Sequence, residues 1–328
     1  MNHVSILSRF RAPSSMAALV VAASVLTLTP APNAFGGVFR FVQISDTHHG
    51  RAIHQYRYRR AIEEINALPF PVECVIHTGD IVSNGVKSPE VANAASNLLA
   101  SFKPPVVVCP GNHDVTFQYS DPTNRFLRTA EAYCRHFGPL AQDVETENAL
   151  YIAIFTESLR RADAPAIPDF DPLSWLEERL SRCPPEKPVF VCTHVPDCDD
   201  FVGGAFSPAW ENADGLAAWR AVLRRHGNVK AVLAGHFHRC AYAEHSDGGP
   251  PTVVASCLAG FWQRQASYRV FTMNDGRLSW QDCYIEDPPP GASVTRDGFV
   301  VSDPAADVPP PAGVVDTTSE VKMPEGEP

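Results

Sequence analysis

The sequence predicts an α/β fold, a four-layer α-β-β-α sandwich of two packed mixed sheets flanked by helices, with its site at the carboxyl ends of strands. Three observations predict it. Short apolar runs alternate with segments of helical spacing from residue 38 to residue 234. Further strand-like runs then follow one another without helices as far as Ile285. Finally, five of the apolar runs end in short polar clusters: Asp46-Thr47-His48, Gly79-Asp80, Gly111-Asn112-His113-Asp114, His194 and Gly235-His236-Phe237-His238.

Each element can be argued in order. Val38 to Ser45 reads as a strand, and Tyr56 to Ala67 has Ala61, Ile62 and Ile65 on one helical side. Cys74 to Thr78 is a short apolar strand. Glu90 to Ser101 is helical and stops ahead of Pro104-Pro105, because the residue before a proline is pushed out of the α region. Val106 to Cys109 is a strand broken by Pro110-Gly111. Asn124 to Phe137 reads as a helix, Leu150 to Phe155 as a strand, and Pro172 to Cys183 as a helix carrying Trp175, Leu176 and Leu180. Val189 to Thr193 is a buried strand, Ala213 to His226 a helix and Val229 to Ala234 a strand. Thr252 to Ser256, Tyr268 to Met273 and Leu278 to Ile285 complete a late β run, with a hairpin turn at Asn274-Asp275-Gly276.

Composition bounds the function. The chain has 328 residues, 45% hydrophobic, enough for a large core, and its net charge of -10 offers no global basic field for duplex nucleic acid or anionic membrane. Arg57, Arg59 and Arg60 form a local basic cluster that reads as a solvated helix face. Residues 1–37 read as a signal peptide: Arg9 and Arg11, an uncharged apolar stretch from Met16 to Leu28, then the small-x-small site Ala34-Phe35-Gly36. Export to the periplasm or the exterior is therefore expected. An uncleaved anchor is the alternative, although the stretch falls short of the ~20 residues that span a bilayer. Residues 38–286 would form the one domain. Residues 287–328 are Pro-rich and acidic and read as a disordered tail.

Nine cysteines all follow the signal, and none has CxxC spacing. Cys74, Cys109, Cys192, Cys257 and Cys283 lie in or beside strands, where a thiol is often buried. Cys134, Cys183, Cys198 and Cys240 are better placed for disulfides in an exported protein.

The polar clusters carry the chemistry. Carboxylate, imidazole and amide groups at strand ends supply the donors that divalent cations take in hydrolytic sites. Asp46 and His48 alternate on an extended segment and can point the same way. Gly79, Gly111 and Gly235 let the backbone turn sharply and keep bulk out of the crevice. Of the twelve histidines, seven lie outside the clusters. His49 is expected beside the site or facing solvent, His77 packed in its strand, and His54, His136, His226 and His245 without a role.

Taken together, D-x-H, G-D, G-N-H-[DE], a later H and G-H-x-H resemble the calcineurin-like metallophosphoesterase superfamily, over roughly Phe39 to Ile285. The opening and the closing strands are similar to its cyclic-nucleotide-phosphodiesterase-like, class III branch. The purple acid phosphatases carry a tyrosine three residues after the G-D aspartate, where this chain has Ser83. The resemblance implies one metal held by Asp46, His48, Asp80 and His238, and a second by Asp80, Asn112, His194 and His236, with Asp80 shared. It implies attack on phosphorus by a hydroxide bridging the metals, His113 acting on the leaving oxygen and Asp114 orienting His113. Two divalent or mixed-valence ions are expected, Mn, Fe or Zn first. Many relatives carry an aspartate shortly after G-D, where this chain has Ser83 and Asn84; tuning of the ligands there departs from the family pattern.

The implied activity is hydrolysis of a small phosphoester: a phosphodiesterase acting on a cyclic nucleotide or another diester, with a broad-range phosphomonoesterase as the alternative and a non-catalytic scaffold behind both. The segment Pro196 to Trp210 reads equally as a wall over the site or as a surface connection. Phe261 and Trp262 could stack on a base or aryl group or pack in the core, and Arg239 adjoins the last cluster. Oligomeric state is not legible.

Overall fold

The computed structural model describes residues 37–301, apart from 84, 85, 87, 117–121, 199–208 and 291. The expected signal segment before residue 37, Asn84, most of the segment Pro196–Trp210 and the tail beyond 301 lie outside the described residues.

Strand β1 (Phe39–Ile44) runs parallel to β2 (Val75–His77), and β2 parallel to β3 (Val106–Val108). Helices α1 (Ala52–Asn66) and α2 (Pro89–Leu99) form the crossovers. Further along the chain come α3 (Pro122–Phe137), β4 (Ala141–Glu145), β5 (Leu150–Ile154), α4 (Glu157–Arg160), α5 (Pro172–Ser181), β6 (Val189–Cys192), α6 (Ala213–Arg225) and β7 (Val229–Ala234). The last strands are β8 (Ala241–Ala243), β9 (Thr252–Val254), β10 (Ser267–Asn274), β11 (Arg277–Tyr284), β12 (Ser293–Val294) and β13 (Val300–Val301).

Two sheets result, in the orders β11-β10-β1-β2-β3 and β4-β5-β6-β7-β9-β8. Both are mixed: β10 returns antiparallel beside β1, and β4 and β8 edge the parallel β5-β6-β7-β9 antiparallel. Their inner faces meet through Phe41, Ile76, Val107, Phe190, Leu233 and Val253. Phe41 stacks on Phe271 with ring centroids 4.7 Å apart and lies 4.4 Å from Phe190 of the facing sheet. Outside the first sheet α1 buries Tyr58, Ala61, Ile62 and Ile65, the i, i+3, i+4, i+7 stripe of an amphipathic helix. Leu176, Leu180, Trp219 and Leu223 of α5 and α6 cover the outside of the second. The four predicted layers are present.

Local chemistry sets the boundaries. Ser88 caps α2 by accepting from the Val91 amide, and Asp171 caps α5 by accepting from Leu173 and Ser174. Proline follows each cap, where its fixed φ suits the first helical turn. The β10–β11 hairpin turns at Asp275 (φ 47°) and Gly276 (φ 77°), a pair of left-handed residues that matches the twist of the strands.

The structure corrects three expectations. Residues 287–301 do not start a structureless tail. Arg57, half-buried on α1, pairs through Nε and Nη2 with the two carboxylate oxygens of Asp287, at 2.7 and 2.8 Å. Arg59 donates to the Asp297 carbonyl at 2.5 Å and lies over the Phe299 ring, and the β12–β13 hairpin rests on α1. These contacts also correct the solvated reading of the basic cluster: only Arg60 keeps to its own helix face, against Glu63 and Glu64. Last, all nine cysteines are free thiols, and Cys183 and Cys198 are buried rather than presented for pairing.

Candidate metal centre

The five polar clusters converge at the carboxyl ends of β1, β2, β3, β6 and β7. Their backbone is unusual. Asp46, His48, Asp80, His236 and His238 all have positive φ, between 43° and 68°. Such geometry costs a non-glycine residue ~1 kcal/mol or more, and persists where surroundings enforce it. It turns side chains from three strand ends toward one point.

Glycines make the approach possible. A Cβ on Gly235 would meet the Ser45 hydroxyl and stand 2.6 Å from Asp46 Oδ2, and one on Gly111 would stand 2.1 Å from Asp80 Oδ1. No other residue fits either place without moving an aspartate.

Each of those aspartates has one engaged and one unengaged oxygen. Asp46 Oδ2 accepts from the Ser45 hydroxyl and from the His236 amide at 3.2 Å, and Asp80 Oδ1 accepts from the His113 amide at 2.7 Å. Asp46 Oδ1 and Asp80 Oδ2 are buried and have no hydrogen-bond partner. Imidazole nitrogens surround both. His238 Nε2 is 3.0 Å from Asp46 Oδ1, and His48 Nε2 is 3.8 Å from Asp46 Oδ1 and 3.7 Å from Asp80 Oδ2. The Nε2 atoms of His48 and His238 are 3.3 Å apart. Ligand atoms of Asp46, His48, Asp80 and His238 all lie within 4.8 Å of one another.

A second grouping shares Asp80. His194 donates from Nδ1 to the Thr78 carbonyl at 2.7 Å, which turns Nε2 toward Asp80 and Asn112. That nitrogen is 3.2 Å from Asp80 Oδ2 and 3.1 Å from Asn112 Oδ1, and the His236 ring centroid is 5.1 Å from that of His194. All seven residues read from the sequence as ligands are thus brought together in two groups around Asp80. Buried carboxylate oxygens gathered with imidazole nitrogens and an amide oxygen are a donor set for divalent cations.

The electrostatics fit the same reading. Burial by itself would raise Asp46 and Asp80, but His238 beside the first and His194 beside the second hold both well below the usual carboxylate range. Burial disfavours a charged His194, yet the Asp80 carboxylate outweighs it and pushes His194 up to about 10. His48 is lowered to about 4 and His236 to about 3, chiefly by burial. The two carboxylates therefore draw positive charge onto His194 in a place where His48 and His236 stay neutral.

His113 is exposed at the rim, its ring 4.9 Å from that of His48 and its Nδ1 2.7 Å from the Ser83 carbonyl. Asp114 does not orient it. The Asp114 carboxylate accepts from the amides of Ile81 (3.1 Å), Val82 (2.9 Å) and Gly111 (2.9 Å), lashing the loop after β3 to the loop after β2. Burial and then the Asp80 charge push it up to about 7. The partner of His113 is a backbone oxygen, which no side-chain motif reveals.

Around the site, His77 is packed as expected. It accepts from the Gly79 amide at Nδ1 (3.2 Å), so its Nε2–H donates to the Thr47 hydroxyl at 3.0 Å, which donates on to the Ile81 carbonyl at 3.1 Å. His49 is buried, not solvent-facing, and His54, given no role from sequence, supports the His48 carbonyl through Nδ1 at 2.9 Å. Arg239 lies over Phe237, 5.7 Å from the ring centroid, and does not line the crevice. That crevice, about 610 Å³, is lined by His48, His113, His238, Arg51, Phe261 and Trp262 among others.

The sequence profile of the calcineurin-like phosphoesterases matches residues 39–240, the stretch that carries every cluster. The chain belongs to the calcineurin-like phosphoesterase family. As a member of it, the protein is a metal-dependent phosphoric ester hydrolase whose buried Asp and His cluster serves two divalent ions. It is similar to a "Probable cyclic nucleotide phosphodiesterase" of Rhodopseudomonas palustris, at 28% identity over 61% of this chain and 72% of that one. It is also similar to a glycerophosphodiester phosphodiesterase of Enterobacter lignolyticus, at 25% identity over 65% of this chain and 76% of that one. Among solved structures, a dimetal phosphatase from Danio rerio shares the fold, with a TM-score of 0.52 and 16% identity over 76% of this chain and 99% of that one.

Proposed function

We propose that this member of the calcineurin-like phosphoesterases is a phosphodiesterase, with Asp46, His48, Asp80 and His238 holding one ion and Asp80, Asn112, His194 and His236 the other. The observation that carries the ligand assignment is the pair of buried oxygens, Asp46 Oδ1 and Asp80 Oδ2, with no donor of their own. Diester preference is supported by two relatives named as phosphodiesterases. Divalent ions at such a site withdraw charge from the phosphoryl oxygens and make hydroxide available at neutral pH.

The chain's own groups do the rest. Because the Ser83 carbonyl can only accept, His113 Nδ1 carries a proton and its tautomer is fixed. With Nε2 protonated as well, the ring at the exposed rim gives its Nε2 proton to the leaving oxygen, which departs as an alcohol and not as an alkoxide, and Nε2 is reprotonated from water. The Asp114 carboxylate holds the loops that carry Asp80 and His113 in register. Mn, Fe and Zn all suit this mixed donor set, and availability decides among them. Residues 1–37 support export by their charge, apolar stretch and small-residue site.

The test sets bis(4-nitrophenyl) phosphate beside 4-nitrophenyl phosphate with protein reconstituted in Mn, Fe or Zn. Faster turnover of the diester is expected; preference for the monoester would assign the protein to the phosphatases instead. A protein that takes up none of the metals would return the chain to a scaffold role.

A further inference from the structure

The turn that follows β9 has no part in holding the metals or moving the proton, yet it is built with care. Gly260 (φ 68°), Trp262 (φ 54°) and Gln263 (φ 59°) are all left-handed. Successive non-glycine residues in this region are strained. Two arginines anchor the turn: Arg57 of α1 donates to the Ala259 carbonyl, and Arg264, which ends the turn, donates to the His238 carbonyl at 2.9 Å with its guanidinium 5.7 Å from the Trp262 ring centroid. The result sets an indole beside a proposed metal ligand, with the Trp262 ring centroid 4.8 Å from His238 and tilted by 35°.

Core packing does not explain this placement, because Trp262 is 57% exposed. Phe261 does the shielding: its ring stacks on His238 at 5.1 Å and stands edge-on to His48 at 4.8 Å and His54 at 5.2 Å. Trp262 instead lines the crevice, with Val82 and Val91 also in its wall and His48, His113 and His238 at its reactive end. The crevice is thus amphipathic, with imidazoles where phosphorus reacts and an indole and aliphatic groups alongside. A substrate whose phosphoryl group lies at the imidazoles carries its ester substituent past Trp262.

We propose that Trp262 is a specificity-determining residue, a stacking platform for a planar aromatic substituent of the ester, so that the preferred substrates carry a nucleobase or aryl group and not a small polyol. This deepens the phosphoester reading of the same site and rests on it. Base–aromatic stacking of this kind changes binding by about tenfold or more per ring. A platform asks only for a flat π-face, so phenylalanine should substitute for tryptophan in large part.

The test separates the platform from the reaction. Binding of phenylphosphonate and methylphosphonate to the metal-loaded protein is measured by calorimetry for the parent, Trp262→Ala and Trp262→Phe. Neither ligand is hydrolysed, so the result stands whether the protein cleaves diesters or monoesters. The parent should bind the phenyl ligand about tenfold more tightly than the methyl ligand, W262A should lose that preference and W262F should keep most of it. Kinetics on bis(4-nitrophenyl) phosphate and methyl 4-nitrophenyl phosphate, which share a leaving group, should show KM rising in W262A more for the first substrate, with two aryl groups, than for the second, with one. A phenyl preference that survives in W262A overturns the proposal, and so does an equal loss for both ligands, which would place Trp262 as a support for His238. Failure of both diesters to react would overturn the diesterase reading and leave the phosphonate result intact.

Discussion

Gly111→Ala should disable the centre without replacing a ligand. The added methyl would stand 2.1 Å from Asp80 Oδ1, 2.3 Å from its amide nitrogen and 2.8 Å from its Cγ. Ordinary contact is about 3.5 Å, so Asp80 must retreat by roughly 1 Å or more. Asp80 is the residue common to both ligand groups, and its Oδ1 also anchors the His113 amide. Overpacking of this kind costs ~1–3 kcal/mol, and the lost hydrogen bond ~1 kcal/mol more. In a domain of this size each kcal/mol lowers Tm by about 2–4 °C, so a fall of roughly 4–16 °C is expected. Displacement of a reacting constellation by ~1 Å costs about 10²-fold in turnover. Thermal denaturation, metal analysis and kcat on one preparation measure all three. Gly276→Ala is the control: nothing stands within 4 Å of its added methyl, and φ is +77°. It should cost ~1 kcal/mol through backbone strain and leave kcat unchanged. Full metal content with turnover within about threefold of the parent in G111A would refute the close-approach argument.

Other outcomes follow from the same geometry. Asp80→Ala should remove metal binding and activity together, read by metal analysis beside the assay; retention of both ions would dismiss Asp80 as the shared ligand. His113→Ala should keep the metals and lower kcat by about 10²–10⁴-fold, more for an alkoxide leaving group than for 4-nitrophenolate, whose departure needs less help from a proton. An equal loss on both leaving groups would remove His113 as the proton donor. His77 is held neutral, lowered by burial to about 3 from 6.5. Its folded pKa lies below the unfolded value, so the unfolded chain gains a proton first as pH falls and stability is lost between about 6.5 and 3. From pH 6.5 to 5 that is ~2 kcal/mol, seen as a falling denaturation midpoint, and His77→Gln should flatten this slope by one proton. An unchanged slope would mean that His77 does not set it.

Much of this was legible in the sequence because strand and site are written in the same places. An apolar run that stops at Asp46, Asp80, Asn112, His194 or His236 marks a strand and also the point where its carboxyl end meets the crevice. The turn at Asn274-Asp275-Gly276 was readable because its residues tolerate left-handed backbone. Strand β4 was not, since its Ala-Gln-Asp-Val-Glu sequence is largely polar and it pairs along a sheet edge. Strand β8 is only three residues long, too short for a period to register. The docking of residues 287–301 on α1 depends on Arg57 meeting Asp287, a pairing 230 residues apart. Asp114 was misread because its neighbour in sequence, His113, is not its partner in space: a short carboxylate after a tight turn reaches back to the amides of its own and the adjoining loop. The left-handed φ at five ligand positions has no sequence signature when the residues are Asp and His.

Anomalous diffraction from metal-loaded crystals tests the central claim most directly. The account predicts two peaks per chain, one flanked by Asp46, His48 and His238 and one by Asn112, His194 and His236, with an Asp80 oxygen reaching both. A single peak, or peaks away from Asp80, would contradict it.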